Sequence, residues 1–175
     1  MSPGSSLNAP TASTPVPIGT LPDSHAEILF DDQVFPVCSP DFAKAAGPVL
    51  SPKDLLSHSL ISNDAEDPLW TGWNEWLSVC SVVVPKRTLG LRCSFYSEAI
   101  HAALSGQGIA LGWKSLVADL LDQGRLVRLT DAFVKPTGAY CAASPKKHNR
   151  KTATNAFLDW LRVSAKGPPD FTPLS

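Results

Sequence analysis

One stretch constrains this chain more than any other: Leu89–Trp113, LGLRCSFYSEAIHAALSGQGIALGW. It predicts strand, helix, strand. Leu89, Leu91 and Cys93 alternate with Gly90 and Arg92, the period of a strand. Ser94 and Ser97 offer N-cap hydroxyls at the mouth of a helix. Ala99, Ile100, Ala103 and Leu104 share one helical face. Gly106 suits the left-handed residue that ends a helix, with Gly108 close behind. Ile109, Ala110 and Leu111 form a short apolar run between glycines, as in a buried parallel strand. A strand that feeds a helix N-terminus at a sheet's carboxyl edge is a place for a carboxylate or another anion. The hydroxyls of Ser94 and Ser97, with Phe95 and Tyr96 as walls, could hold such a ligand. They could equally do no more than cap a structural helix, and the residues alone leave both readings open.

The rest of the chain sets the frame for that unit. Residues 1–25 are rich in Pro, Ser and Thr with little apolar content, which predicts disorder. Order is expected over 26–164, and a second Pro-rich tail over 165–175. Strand-like pieces at Ile28–Phe30 and Val34–Cys38 are joined by Asp31, Asp32 and Gln33. Ser39-Pro40-Asp41 predicts a capped helix closed by Gly47. Ser51-Pro52-Lys53-Asp54 repeats that opening, with Asp54 approximating a capping box. A strand is predicted over 58–62. Trp70, Trp73, Trp76 and Leu77 predict one buried helical face. Val82–Val84 predicts a strand or extended loop. Further helices are predicted at 114–122 and 152–163, and strands at 126–129 and 138–143. The last helix sets Ala156, Phe157, Trp160 and Leu161 on one side. Strands alternating with helices predict an α/β domain whose sheet is mainly parallel.

Composition excludes several classes. Fifteen basic residues against sixteen acidic ones give a net charge of −1, so there is no basic field to hold nucleic acid. No apolar run approaches the roughly 20 residues of a membrane span, and no membrane partner is expected. Cys38, Cys80, Cys93 and Cys141 lack metal-ligand spacing; reduced thiols in a cytoplasmic protein are expected, with no metal and no cofactor. No catalytic residue is expected either. Ser97 and His101 could be drawn as nucleophile and base of a small hydrolase, but no carboxylate stands ready to orient the histidine. The basic run Lys146–Lys151 reads as a solvated loop, with a nucleic-acid or acidic-protein contact as the lesser reading.

Several segments resemble the effector-binding domain of LysR-type transcription regulators. They are Phe35-Pro36-Val37-Cys38-Ser39-Pro40, the segment from Ala102 to Leu111, Gly124-Arg125-Leu126-Val127, and the segment from Ala156 to Leu161. Their order and spacing are similar to the branch of glycine-cleavage and β-lactamase-inducer regulators. The resemblance implies a two-lobed fold of the periplasmic-binding-protein type 2 kind, with a small-molecule effector in the cleft and no enzymatic activity. It implies that these residues carry one lobe, two crossing strands and the last helix, with most of the first lobe missing. It places Ser94, Phe95, Tyr96, Ser97 and Tyr140 at the effector site, the last matching a pocket tyrosine of the β-lactamase-inducer branch. The effector is expected to bear a carboxylate. Partners are expected to be further copies of the chain or homologous regulator subunits. DNA contact is expected only through a winged helix-turn-helix that these residues do not include. A truncated module that associates with intact regulators, or a non-functional fragment, is the alternative expectation.

Overall fold

In the computed structural model, residues 24–49, 51–63, 70–83, 89–136, 140–145 and 152–165 are described. Of the stretch 1–25 expected to be disordered, residues 1–23 fall outside them, while Ser24 and His25 lie in a strand; the basic run at 146–151 and most of the C-terminal tail also fall outside.

Among the described residues, seven strands and five α-helices follow one another. They are β1 (Ser24–Phe30), β2 (Val34–Cys38), α1 (Pro40–Ala46), β3 (Leu60–Asn63), α2 (Trp73–Val79), β4 (Leu89–Cys93), α3 (Tyr96–Leu104), β5 (Ala110–Trp113), α4 (Lys114–Asp122), β6 (Val127–Arg128), β7 (Tyr140–Pro145) and α5 (Thr152–Ser164). Ser39 caps α1 by accepting from the Phe42 N–H, and Gly47 ends it with φ of 76°. The second serine-proline opening makes only a 3-10 turn at Asp54–Ser57, where Asp54 accepts from the backbone N–H and hydroxyl of Ser51. Val82 and Val83 lie in irregular backbone, not in a strand.

The main sheet is built of a three-stranded piece, β5-β2-β6, and a two-stranded piece, β3-β4, joined by one bridge. The β3–β4 pair is parallel. Leu60 and Ile109 bridge β3 to the entry of β5, also in parallel, through Ile61 N–H to the Ile109 carbonyl at 2.8 Å and Ile109 N–H to the Ser59 carbonyl at 2.9 Å. Both β5 and β6 lie antiparallel to β2. The sheet is therefore mixed, where a mainly parallel one was expected. Parallel pairing needs a helical crossover, and β2 enters the lobe directly from the turn after β1. Outside this sheet, β1 and β7 form an antiparallel pair of their own.

Both faces of the sheet are covered, and the pleat decides which side chain goes where. Val34 and Cys38 of β2, Leu60 of β3 and Leu111 and Trp113 of β5 share one core with Trp73, Trp76 and Leu77 of α2. Phe35, Val37, Ile61 and Ala110 point the other way, into a second core with Ala99, Ile100 and Ala103 of α3 and Val117 of α4. The two buried indoles of α2 are satisfied: Trp73 Nε1 donates to the Ile61 carbonyl at 2.8 Å and Trp76 Nε1 to the Val34 carbonyl at 2.9 Å. Trp70 was expected on the same helical face. It precedes the helix, because Gly72 is the N-cap, and so it swings out of that face. On α5, Phe157, Trp160 and Val163 are 56%, 60% and 67% exposed, and Leu158 is the buried residue. The apolar stripe read from that helix therefore has no cover among the described residues.

Gly108 sits where the core permits no side chain. A Cβ there would meet the Ser59 carbonyl at 2.4 Å, the group that accepts from Ile109. Gly108→Ala should therefore cost about 2–3 kcal/mol in urea unfolding, as overpacking beside a strand bridge does. Gly47→Ala, which has open space but a left-handed φ, should cost only about 1–2 kcal/mol. Equal losses for the two would remove the steric explanation.

Candidate functional site

The carboxyl end of β3, the first turn of α3 and the end of β5 meet at one edge of the sheet. There they line a small cavity of about 70 Å³, with Ser62, Asn63, Trp70, Thr71, Tyr96 and Trp113 on its walls. A complete small-molecule site usually encloses roughly 300–1,000 Å³. This recess is the size of a head-group pocket, open on one side.

Tyr96 is its pivot. Its hydroxyl accepts from the Trp113 N–H at 3.0 Å. Burial pushes its pKa well above the ordinary tyrosine value, a shift opposed by the Trp113 hydrogen bond and reinforced by the charges of Asp32 and Tyr140. The phenol therefore keeps its proton, and with one lone pair engaged by Trp113 that proton is free to be donated. The Trp70 ring centroid lies 5.0 Å from that of Tyr96 and 5.0 Å from that of Trp113, at 43° and 62°.

The helix start differs from the expectation. Phe95, not Ser94, occupies the N-cap position, and a phenyl ring has no acceptor. Glu98 supplies the cap instead: its Oε2 accepts from the backbone N–H groups of Ser94 at 3.1 Å and Phe95 at 3.2 Å. These amides, read from sequence as an anion site, are engaged by the chain's own carboxylate. Serine was expected because of its hydroxyl, but the chain bends through Ser94 and Phe95 before the helix begins at Tyr96, one residue later than read.

Of the five residues expected at the site, the structure brings one into the recess. Tyr96 lines it. Ser94 faces a shallow groove on the β4 side of α3, beside Arg92, Glu98 and His101. Phe95 is 66% exposed at the rim, and Ser97 is exposed on the outer face of the helix. Tyr140 lies on β7, stacked on Phe30 of β1 at 4.5 Å between centroids, and is not among the residues that line the recess. Ser97 and His101 are both exposed, and no hydrogen bond joins them. Among the described residues no three metal-ligating side chains gather into a site.

Sequence reasoning missed Asp32, Trp113 and the separate place of Trp70. Asp32 is buried, at 2% exposure. It accepts from its neighbour Gln33 N–H at 2.7 Å and from Ser115 N–H at 3.1 Å, and the Ser115 hydroxyl donates to its other oxygen. The Lys114 N–H donates to the Gln33 carbonyl at 2.8 Å. Asp32 thus caps α4 from a distant turn. The only signal was an aspartate pair between two strands.

The arrangement is an α/β lobe with a polar, aromatic recess at the carboxyl edge of its strands, the usual placement of a ligand site in such sheets. Comparison with known proteins defines the class further. The sequence model of the LysR substrate binding domain matches residues 13–166, and the chain belongs to that family. An uncharacterized HTH-type transcriptional regulator, y4mQ, of Sinorhizobium fredii is 32% identical over 136 residues, covering 76% of this chain and 43% of the relative. The glycine cleavage system transcriptional activator of Escherichia coli is 27% identical over 148 residues, covering 84% of this chain and 47% of the relative. This chain thus spans less than half the length of these two relatives. The effector domain of the transcriptional regulator AmpR of Pseudomonas aeruginosa shares the fold, with a TM-score of 0.62 at 24% identity over 84% of this chain and 68% of that one. The fold is therefore of the periplasmic-binding-protein type 2 kind, as the resemblance implied.

Two outcomes follow from the geometry. Asp32→Asn should lower stability by about 1–3 kcal/mol, because it weakens a charge-assisted cap on buried amides; urea unfolding of this variant and of Ser115→Ala measures it, and a change within error would remove Asp32 as an anchor. Burial also pushes the Cys38 thiol up to about 12, with a backbone hydrogen bond from Ala43 partly offsetting the shift. Unfolded, that thiol ionises near 9. Its contribution to stability is therefore full below pH 9 and is lost as the pH rises towards 12. Cys38→Ala should flatten that alkaline decline, and an unchanged decline would assign it to other groups.

Proposed function

We propose that this chain is the effector-sensing part of a LysR-type transcription regulator, non-enzymatic and acting in the cytoplasm, with the recess at Tyr96 as one wall of its effector cleft. The observation that carries this reading is the coincidence of a family match over residues 13–166 with a half-open polar recess at the strand ends. Ser94, Phe95 and Ser97 would form the rim from which a second wall closes, and Tyr140 would approach from the crossing strands. A ligand that accepts from the Tyr96 hydroxyl would pull on Trp113 and hence on the β5–α4 junction. That junction is bonded to Gln33 and Asp32 in the turn between β1 and β2. Binding at the recess would in this way bias the position of the crossing strands, the differential contact that an effector needs to shift a conformational equilibrium. DNA contact is assigned to a winged helix-turn-helix and not to the effector-sensing part.

A thermal-shift screen of amino acids, aromatic acids, organic amines and muropeptide fragments tests this reading, because a ligand that binds only the folded chain raises its melting temperature. For a ligand so found, Tyr96→Phe should weaken binding about tenfold through loss of one hydrogen bond. A ligand whose affinity ignores both Tyr96→Phe and Trp70→Ala would place the site elsewhere.

The second reading is an interaction module that joins other regulator subunits. The exposed Phe157, Trp160 and Val163 of α5 favour it, since contiguous apolar surface of this kind marks an association site. Co-elution with a full-length homologous regulator, abolished by Trp160→Glu, is the expected result. A monomeric, non-associating chain would dismiss it.

A further inference from the structure

We propose that the recess selects a quaternary or fully methylated ammonium head group, and not the carboxylate that the resemblance implied. This deepens the functional reading above and rests on it.

Three observations converge. First, the aromatic walls form a corner. Trp70 meets Tyr96 and Trp113 at 5.0 Å with interplanar angles of 43° and 62°. Trp70, Trp73, Tyr96 and Trp113 all line the recess, and the negative faces of indole and phenol rings attract a cation placed over them. Trp70 is only half-buried, so part of its surface is available.

Second, the recess offers an anion no counter-ion. Among the described residues, none of those lining it is basic. Lys114, next in sequence to Trp113, is not one of its walls. The buried Asp32 carboxylate acts on Tyr96. Glu98 holds the amides at the start of α3 that an incoming anion would have used. An anion entering here would meet like charge and no counter-ion, a cost that grows with burial.

Third, donors that an anion would need are already engaged. Trp73 Nε1 already donates to Ile61, and Ser62 Oγ donates to the Leu91 carbonyl at 3.4 Å. A primary ammonium brings three donors and needs three acceptors. A trimethylammonium group brings none, is weakly hydrated, and needs only apolar and π surface. A cavity of about 70 Å³ suits a head group of that kind rather than a whole ligand. The Tyr96 proton is then left for an oxygen further along the ligand.

Three probes of matched shape and different charge test this on the full chain: choline, its neutral isostere 3,3-dimethyl-1-butanol, and the carboxylate 3,3-dimethylbutanoate. The chain is labelled with 5-fluorotryptophan, and the Trp70 and Trp113 resonances are assigned with Trp70→Phe and Trp113→Phe. Choline should move both resonances saturably and bind about five- to twentyfold more tightly than the neutral isostere, the range expected for a desolvated cation–π contact. The carboxylate should move neither. Trp70→Leu, which keeps apolar surface and removes the ring, should weaken choline about fivefold and leave the neutral isostere unchanged. If the neutral or anionic probe binds as well as choline while moving these same two resonances, the charge selection is overturned and the recess stands as the site. If choline moves neither resonance, the proposal is overturned. Should a ligand from the thermal-shift screen also leave both unmoved, the recess reading falls with it.

Discussion

Three consecutive backbone N–H groups at the junction of β5 and α4 tie the recess to the turn between β1 and β2. Trp113 donates to the Tyr96 hydroxyl, Lys114 to the Gln33 carbonyl, and Ser115 to the Asp32 carboxylate. Each would be an orphan donor at a helix start if its partner were absent. Their partners come from two distant places in the sequence: the first turn of α3, and two adjacent residues in the turn between β1 and β2. A helix start that would ordinarily be capped by its own residues is here capped by the rest of the fold. The junction therefore cannot move without moving either the recess or the crossing strands.

The recess follows from that constraint. Tyr96 is anchored by its own oxygen, so its ring forms a fixed wall and its proton has a fixed direction. Trp70, freed from α2 by the helix start at Gly72, lies across Tyr96 and Trp113. A cavity at the carboxyl ends of parallel strands arises because helices leave the sheet there in different directions. What makes this one distinctive is its wall chemistry: aromatic rings, small neutral polar groups, and carboxylates close by. The nearby anion slot at the start of α3 is occupied by Glu98, which turns a generic binding feature of helix ends into a structural one.

Much of this architecture was legible in the residues. Gly106 and Gly124 marked helix ends because only a left-handed residue closes them, and both have positive φ. Ser39-Pro40 marked a helix start that is capped as read. The four segments similar to LysR-type effector domains pointed to the fold that the family match and the structural likeness show. The site was far less legible. Ser94 looked like a cap because its hydroxyl is the right chemistry in nearly the right place, but one residue of register moved the cap to Phe95 and gave the task to Glu98. Trp70 looked like a core residue because its spacing matched Trp73 and Trp76, and a period says nothing about where a helix begins.

The sequence by itself determined the alternation of strands and helices, the two-faced burial of β2 and β5 and the family, because these depend on periodicity and local turn chemistry within a few residues. Only the tertiary structure decided that the sheet is mixed, that Asp32 reaches across 83 positions to Ser115, and that Tyr96 alone of the five expected site residues lines the recess. Those facts depend on which distant groups satisfy one another's hydrogen bonds, and no local pattern encodes that pairing.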